Sequence, residues 1–289
     1  MTAAIQTIGV VGGGTMGNGI AHVCAAAGYR VLLFDLSQEV LDRALATISR
    51  NLDREVAKNK TSSSGKSATF SRIGAVTDVQ RLAEADFIIE AIVESLDAKL
   101  KLFQALDTIA RPGVILASNT SSLSITRMAS GTHRQERMIG MHFMNPVPVM
   151  TLVEVVRGKA TSDDTCQTTV ELAKSLGKTP VQVNDSPGFV SNRVLMPMIN
   201  EAAFCVMEGV GTPDAVDSIM KLGMNHPIGP LALADLIGLD VCLSILEVLE
   251  KGLEDPKYRP CPLLRRMVDA GQLGRKSGQG FFKYGLDLP

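Results

Sequence analysis

The chain has 289 residues, 45% of them hydrophobic, with a formal net charge of -1 and five cysteines. That length suffices for two domains, and the balanced charge excludes a nucleic-acid surface built on global positive charge, so any anionic ligand must be held by local features. No uninterrupted apolar run reaches the roughly 18 residues that a membrane-spanning helix needs, so no membrane partner is expected.

Residues 1–7 lack a basic flank leading into an apolar run, which predicts no secretory signal and a cytoplasmic protein. From there, short β-branched runs alternate with longer amphipathic stretches. Residues 7–11, 30–35, 86–92, 114–117, 138–143 and 153–156 read as strands, the α/β pattern of a parallel sheet covered by helices. The polar stretch 59–71, with Lys60-Thr-Ser-Ser-Ser-Gly-Lys-Ser67, breaks the helix that starts near Ser37 and predicts an exposed, mobile loop. After Pro187-Gly188 the chain carries helix-length apolar periodicity and few strand-like runs besides residues 280–284. Residues 189–208 are apolar on several faces, with Pro197 as an expected kink. Such a surface predicts a homodimer, although packing within the chain would cover it equally well. The cysteines, Cys24, Cys166, Cys205, Cys242 and Cys261, form no C-x-x-C pair and have no histidines at zinc-ligand spacing. They read as reduced core thiols, and no metal is expected.

Gly12, Gly14 and Gly17 hold the G-x-G-x-x-G spacing directly after the first strand, with Thr15 and Met16 inside the loop. The pattern is weak alone, but here a helix follows it and the second strand ends at Asp35, at the distance expected of a dinucleotide site. The pyrophosphate would sit on the free N–H groups of the helix start. Asp35 would accept from the adenosine ribose hydroxyls and repel a 2'-phosphate, and Leu36-Ser37-Gln38 supplies no arginine to hold one, so NAD is favoured over NADP. A glycine-rich turn with a structural aspartate, or an FAD site, fits the same residues. Gly65-Lys66-Ser67 resembles the end of a phosphate loop, but Lys60 stands where that motif needs glycine and no apolar strand precedes it. The expected architecture is an α/β Rossmann-type dinucleotide-binding domain over residues 1–187, with a helical insertion near 37–71. A mostly α-helical domain for substrate binding and dimerisation follows over 188–289.

His142 lies in the strand that ends at Phe143, before Asn145-Pro-Val-Pro148, which must turn. The returning apolar strand carries Glu154 between Val153 and Val155, where an unpartnered carboxylate would be costly. A histidine beside a carboxylate has a fixed tautomer and a stabilised imidazolium, which suits a base that takes a hydroxyl proton near neutral pH. Spacing alone fits a satisfied structural histidine as well.

Six ordered motifs now point one way: Gly12-Gly-Gly-Thr-Met-Gly-Asn-Gly-Ile-Ala21, Glu90-Ala-Ile-Val-Glu94, Ala117-Ser-Asn-Thr-Ser-Ser-Leu123, Gly140-Met-His-Phe-Met-Asn-Pro146, Asp185-Ser-Pro-Gly-Phe-Val-Ser-Asn-Arg193 and Gly274-Arg-Lys-Ser-Gly-Gln-Gly-Phe281. Almost end to end, the sequence resembles the 3-hydroxyacyl-CoA dehydrogenases, most of all their bacterial short-chain 3-hydroxybutyryl-CoA branch. The resemblance implies NAD-dependent oxidation of an (S)-3-hydroxyacyl-CoA, with His142 as general base and Glu154 as its orienting carboxylate. It further implies that Ser121 and Asn192 approach the reacting substrate oxygen, and that Glu94, Lys99 and Asn119 line the nicotinamide half of the cofactor. Lys58 and Lys60 would pair with CoA phosphates, unless they are simply a solvated helix end. Departures are small: Thr151 stands where relatives often have lysine, and His22 where many have glutamine. Two rivals fit part of the pattern. The small β-hydroxyacid dehydrogenases use a K-x-x-x-N helix, a spacing found at Lys221-Leu-Gly-Met-Asn225, but Gly223 and His226-Pro227 predict a helix end there. A non-catalytic NAD-binding or structural protein of the same fold is the other, and His142 with Glu154 argues against it.

Overall fold

The computed structural model describes residues 5–285, so the amino-terminal reading of residues 1–4 lies outside the described residues. The chain divides into two compact units, one ending at Asp185 and the other starting at Ser186.

The first unit opens with β1 (Thr7–Val11), α1 (Thr15–Ala26), β2 (Arg30–Phe34), α2 (Gln38–Ala57), α3 (Ser63–Ser71) and β3 (Ile73–Val76). It continues through β4 (Phe87–Glu90), α4 (Leu96–Ile109), β5 (Ile115–Ser118), α5 (Ile125–Ala129), β6 (Met138–Phe143), β7 (Leu152–Arg157), α6 (Asp163–Ser175) and β8 (Thr179–Asn184). These strands form one sheet in the order β3-β2-β1-β4-β5-β6-β7-β8. The order reverses between β1 and β4, where a doubly wound sheet opens its ligand crevice. Every neighbouring pair is parallel except β6 and β7, which are antiparallel, so β7 and β8 run against the first six strands. The central strands are apolar on both faces because helices cover both, and β1 is buried along its whole length. On one face α2 repeats Leu41, Ala44, Ile48 and Leu52 at helical spacing, and these pack into one core with Ile20 and Cys24 of α1 and Val10, Leu33 and Ile89 of the sheet.

Three features differ from the sequence expectation. Residues 63–71 are helix α3, not a mobile loop; the Ser62 hydroxyl accepts from the Gly65 N–H at 3.0 Å and caps it. Strands β3 and β8 were not expected; both are edge strands, β3 half-buried except at Gly74 and β8 largely exposed. Residues 280–284 make only isolated bridges and no strand. Their backbone is gathered instead round the buried Asp235 carboxylate, which accepts from Phe281 N, Phe282 N and Tyr284 Oη at 2.9–3.0 Å.

The second unit is helical: α7 (Ser191–Met207), α8 (Pro213–Gly223), α9 (Pro230–Ile237), α10 (Leu239–Leu253) and α11 (Pro262–Asp269). Helix α7 runs on through Pro197. Met196, Ile199 and Ala203 of α7 build its core with Leu239, Cys242 and Leu246 of α10 and Leu264 of α11. Helix α8 ends at Gly223, and Asn225 takes a left-handed φ of 57°, so Lys221 and Asn225 do not share a helix as a K-x-x-x-N site requires. Among the described residues no helix is long and apolar enough to cross a membrane. All five cysteines are free thiols; Cys205 is half-buried and the others buried.

Candidate active site

The glycine loop is built at the carboxyl end of β1. Gly12 has φ +104°, and a Cβ there would lie 2.6 Å from the Ala91 carbonyl oxygen, so the turn needs glycine both for its conformation and for its closeness to the connection after β4. A Cβ on Gly17 would fall 1.7 Å from the Gly12 carbonyl oxygen, which closes the loop onto α1. Gly14 is different: a Cβ would meet nothing within 4 Å. It is the N-cap of α1, no side chain caps that helix, and its first turn holds no acidic residue. Each of α2 to α6, by contrast, is capped by a serine hydroxyl, from Ser37, Ser62, Ser95, Ser124 and Ser162. The start of α1, with Gly14 and Thr15 exposed and Met16 half-buried, therefore offers open backbone donors to an anion, as a pyrophosphate requires. Asp35 caps the loop from β2: its Oδ2 accepts from Gly13 N at 2.8 Å and its Oδ1 from Ser37 N at 3.1 Å. Each carboxylate oxygen keeps a second lone pair, enough for a ribose hydroxyl. These residues fit NAD.

A second group gathers where β4 and β5 end. Glu90 is fully buried, and its carboxylate accepts from the Lys99 ammonium, from Ser118 Oγ at 2.6 Å and from Ile92 N at 2.7 Å. Burial pushes the Glu90 carboxyl above its usual range, against the pull of Lys99 and the other donors. Lys99 sits in the first turn of α4, 1% exposed, 3.5 Å from Glu94 Oε2. This is not a surface pair. The Glu94 Oε1 accepts from Thr120 Oγ1 at 2.5 Å, Ser121 N at 2.9 Å and Ser121 Oγ at 3.2 Å. Ser121 is thus tied to Glu94, while the cap of α5 is Ser124. Asn119 links this group to the next strand: its N–H donates to the Glu90 carbonyl, and its Oδ1 accepts from Phe143 N at 2.9 Å.

Beside Phe143, His142 stands directly opposite Glu154 in the antiparallel β6–β7 pair. The His142 Nδ1 and Glu154 Oε2 are 2.8 Å apart, and the two residues are 7% and 3% exposed. With Nδ1–H donating to the carboxylate, the neutral ring carries its lone pair on Nε2, where a base must present it. The structure thus brings His142, Glu154, Asn119, Ser121, Glu94 and Lys99 to one edge of the sheet. Asn192 lies in the first turn of α7 in the second unit, 8% exposed. Lys58 and Lys60 are exposed at the end of α2 and share no ion pair with these residues among those described. Glu90, Ser118 and Thr120 were not foreseen. Glu90 carried a signal, since a carboxylate that closes the apolar run Phe87-Ile-Ile-Glu90 needs a partner as surely as Glu154 does.

Comparison with known proteins decides the family. Residues 7–186 match the model of the 3-hydroxyacyl-CoA dehydrogenase NAD binding domain, and residues 188–284 that of the 3-hydroxyacyl-CoA dehydrogenase C-terminal domain. The chain belongs to the 3-hydroxyacyl-CoA dehydrogenase family. Within that family it is 52% identical to the 3-hydroxybutyryl-CoA dehydrogenase of Bradyrhizobium diazoefficiens, over 98% of this chain and 97% of that protein. The mitochondrial hydroxyacyl-coenzyme A dehydrogenase of Homo sapiens is 42% identical over 97% of this chain and 91% of its own length. The crystal structure of (S)-3-hydroxybutyryl-CoA dehydrogenase from Ralstonia eutropha superposes with a TM-score of 0.95 at 51% identity, covering 98% of this chain and all of that one.

Proposed function

We propose that this 3-hydroxyacyl-CoA dehydrogenase oxidises (S)-3-hydroxybutyryl-CoA reversibly to the 3-oxoacyl-CoA. The observation that carries the reading is the buried 2.8 Å contact between His142 Nδ1 and Glu154, on the sheet edge that also bears the uncapped glycine loop. Neutral His142 takes the proton of the substrate 3-hydroxyl on Nε2, and Glu154 balances the imidazolium that forms. Ser121 and Asn192, assigned by family likeness, donate to the substrate oxygen as charge gathers there. Bound NAD supplies the hydride acceptor. Gly12, Gly14, Thr15, Met16 and Gly17 hold its pyrophosphate, Asp35 its adenosine ribose, and Glu94, Lys99 and Asn119 its nicotinamide half. In the reverse direction the imidazolium returns its proton to the carbonyl oxygen. Lys58 and Lys60, exposed and basic, suit CoA phosphates. The second unit is read as the substrate-binding and dimerisation domain. A homodimer is supported by the apolar side chains of Val210, Ile219, Leu222 and Met224, all more than half exposed on and beside α8. Five free thiols suit the reducing cytoplasm.

The test is NADH consumption with acetoacetyl-CoA, comparing wild type with His142→Ala and with NADPH in place of NADH. Turnover that falls by orders of magnitude in the variant and is weak with NADPH is expected. Full activity in His142→Ala would refute the base, and a wild type inert with this substrate would refute the substrate assignment.

A further inference from the structure

The carboxyl edge of the sheet holds more charge than proton transfer uses. Lys99 faces two carboxylates and can neutralise only one. Glu90 is the closer partner, wholly buried and directly hydrogen-bonded to the ammonium. That pair is electrically neutral whichever atom holds the shared proton. Glu94 is 3.5 Å from Lys99, its side chain is 39% exposed, and its Oε1 is occupied by the uncharged donors Thr120 and Ser121. Among the described residues Lys99 is the one cation within 4.0 Å of it. The three side chains therefore sum to one negative charge, and it resides on Glu94. Glu94 lies on the connection from β4 to α4, whose first residue, Ala91, abuts the Gly12 turn of the dinucleotide loop.

We propose that Glu90, by neutralising Lys99, leaves Glu94 as an uncompensated negative charge at the nicotinamide end of the site, and that this charge shifts binding towards the cationic oxidised ring relative to a site without it. This rests on the reading above that Glu94 and Lys99 line the nicotinamide half of the cofactor. Glu90 is a positioning residue here: it touches neither substrate nor cofactor and sets which carboxylate Lys99 serves. Oxidised and reduced NAD share their adenosine, pyrophosphate and riboses. The ratio Kd(NAD+)/Kd(NADH) thus cancels common contacts and reports the charge felt by the ring.

The experiment measures both dissociation constants at pH 7, NADH by its fluorescence and NAD+ by competition against it. In Glu90→Gln, Lys99 is left to neutralise Glu94, and the ratio should rise about fivefold, of the order given by one unit charge at short range in a part-solvated site. That corresponds to an upward shift of about 20 mV in the bound two-electron couple. Adding Lys99→Met to Glu90→Gln removes the cation too, restores one net negative charge, and should return the ratio to within about twofold of wild type. Glu94→Gln removes the same charge at a part-exposed position without stranding a buried cation, and should raise the ratio as Glu90→Gln does, even if the latter does not fold. A ratio that stays within about twofold of wild type in Glu94→Gln, or that tracks the loss of Lys99 and not the net charge, overturns the proposal and leaves the dehydrogenase assignment standing. A wild-type protein that binds neither form of NAD overturns the cofactor reading beneath it.

Discussion

Replacing Glu154 by glutamine isolates the electrostatic part of the His142–Glu154 pair, because the amide oxygen can still accept from Nδ1–H while the negative charge is gone. Unit charges 2.8 Å apart attract by about 6 kcal/mol at an effective dielectric of about 20. Desolvation of both groups in this buried pair consumes most of that attraction. The part that survives is the difference between a charge-assisted and a neutral hydrogen bond, roughly 1–3 kcal/mol. It acts only when the ring is charged, so it appears in the barrier of the proton-transfer step and not in cofactor binding. The single-turnover rate of NADH formation from the 3-hydroxyacyl-CoA, the direction in which the imidazolium forms, should therefore fall roughly 5- to 150-fold, with the Kd for NAD+ unchanged. Added to His142→Ala, the same substitution should cost nothing further, since there is no imidazolium left to stabilise. A Glu154→Gln protein that is well folded and turns over at the wild-type rate would refute the assigned role of the carboxylate.

Three further outcomes follow from the geometry. Gly14→Ala should leave Tm unchanged, because its φ is -64° and a Cβ meets nothing, yet weaken NADH binding about tenfold by crowding the pyrophosphate. Gly17→Ala should lower Tm as well, because its Cβ would strike the Gly12 carbonyl oxygen; equal Tm values for the two variants would sink that distinction. The Asp107 carboxyl accepts from His133 N at 2.7 Å, His133 Nδ1 at 3.0 Å and Arg134 Nε at 2.6 Å. Burial pushes its pKa up, but these donors together hold it below the usual carboxylate range. A depressed folded-state value means that the unfolded chain binds the proton more readily. The stabilisation is thus complete above about pH 4 and is lost as pH falls through the lower folded value. Asp107→Asn should consequently destabilise the protein by about 1–2 kcal/mol at pH 7, a difference that shrinks below about pH 4 in thermal melts. A gap that stays constant down to acid pH would contradict the assigned charge state.

Much of the candidate site was legible because the residues proposed for it leave local marks. Glycines at fixed spacing after a strand, an aspartate closing the next strand, and a carboxylate inside an apolar run each violate the plain pattern of an element and so announce a role. The antiparallel return of β7 was readable from Asn145-Pro-Val-Pro148, which can only turn. The elements that escaped notice are those whose sequence disagrees with their fate. Residues 63–71 hold four serines and a glycine, poor helix formers, and become helical once Ser62 caps them and the turn packs on α1 and α2. Strand β8 begins with Thr179-Pro180 and lies at a sheet edge, where a proline costs no ladder bond but erases the strand signature. Residues 280–284 show the converse: β-prone aromatics that form no strand, because the Phe281 and Phe282 N–H groups are claimed by Asp235. The Lys99–Glu90 pair was hidden because nine residues, a loop and a helix turn separate its partners, and only the fold brings them together.

The β6–β7 hairpin separates two things that enzymes often entangle. His142 faces Glu154 because main-chain bonds fix the register of Gly140 to Phe143 against Val153 to Val156, and a slip of one residue would send one of the two side chains through to the opposite face. The connecting residues 144–151 take no part in that ladder. Val147 among them is buried in the core of the first unit, and the Val147 and Met150 carbonyls accept from Lys178, whereas the side chains of Val149 and Met150 are apolar and exposed. The ladder thus sets the His142–Glu154 contact, and a change of side chain at the exposed tip of the turn leaves that alignment in place.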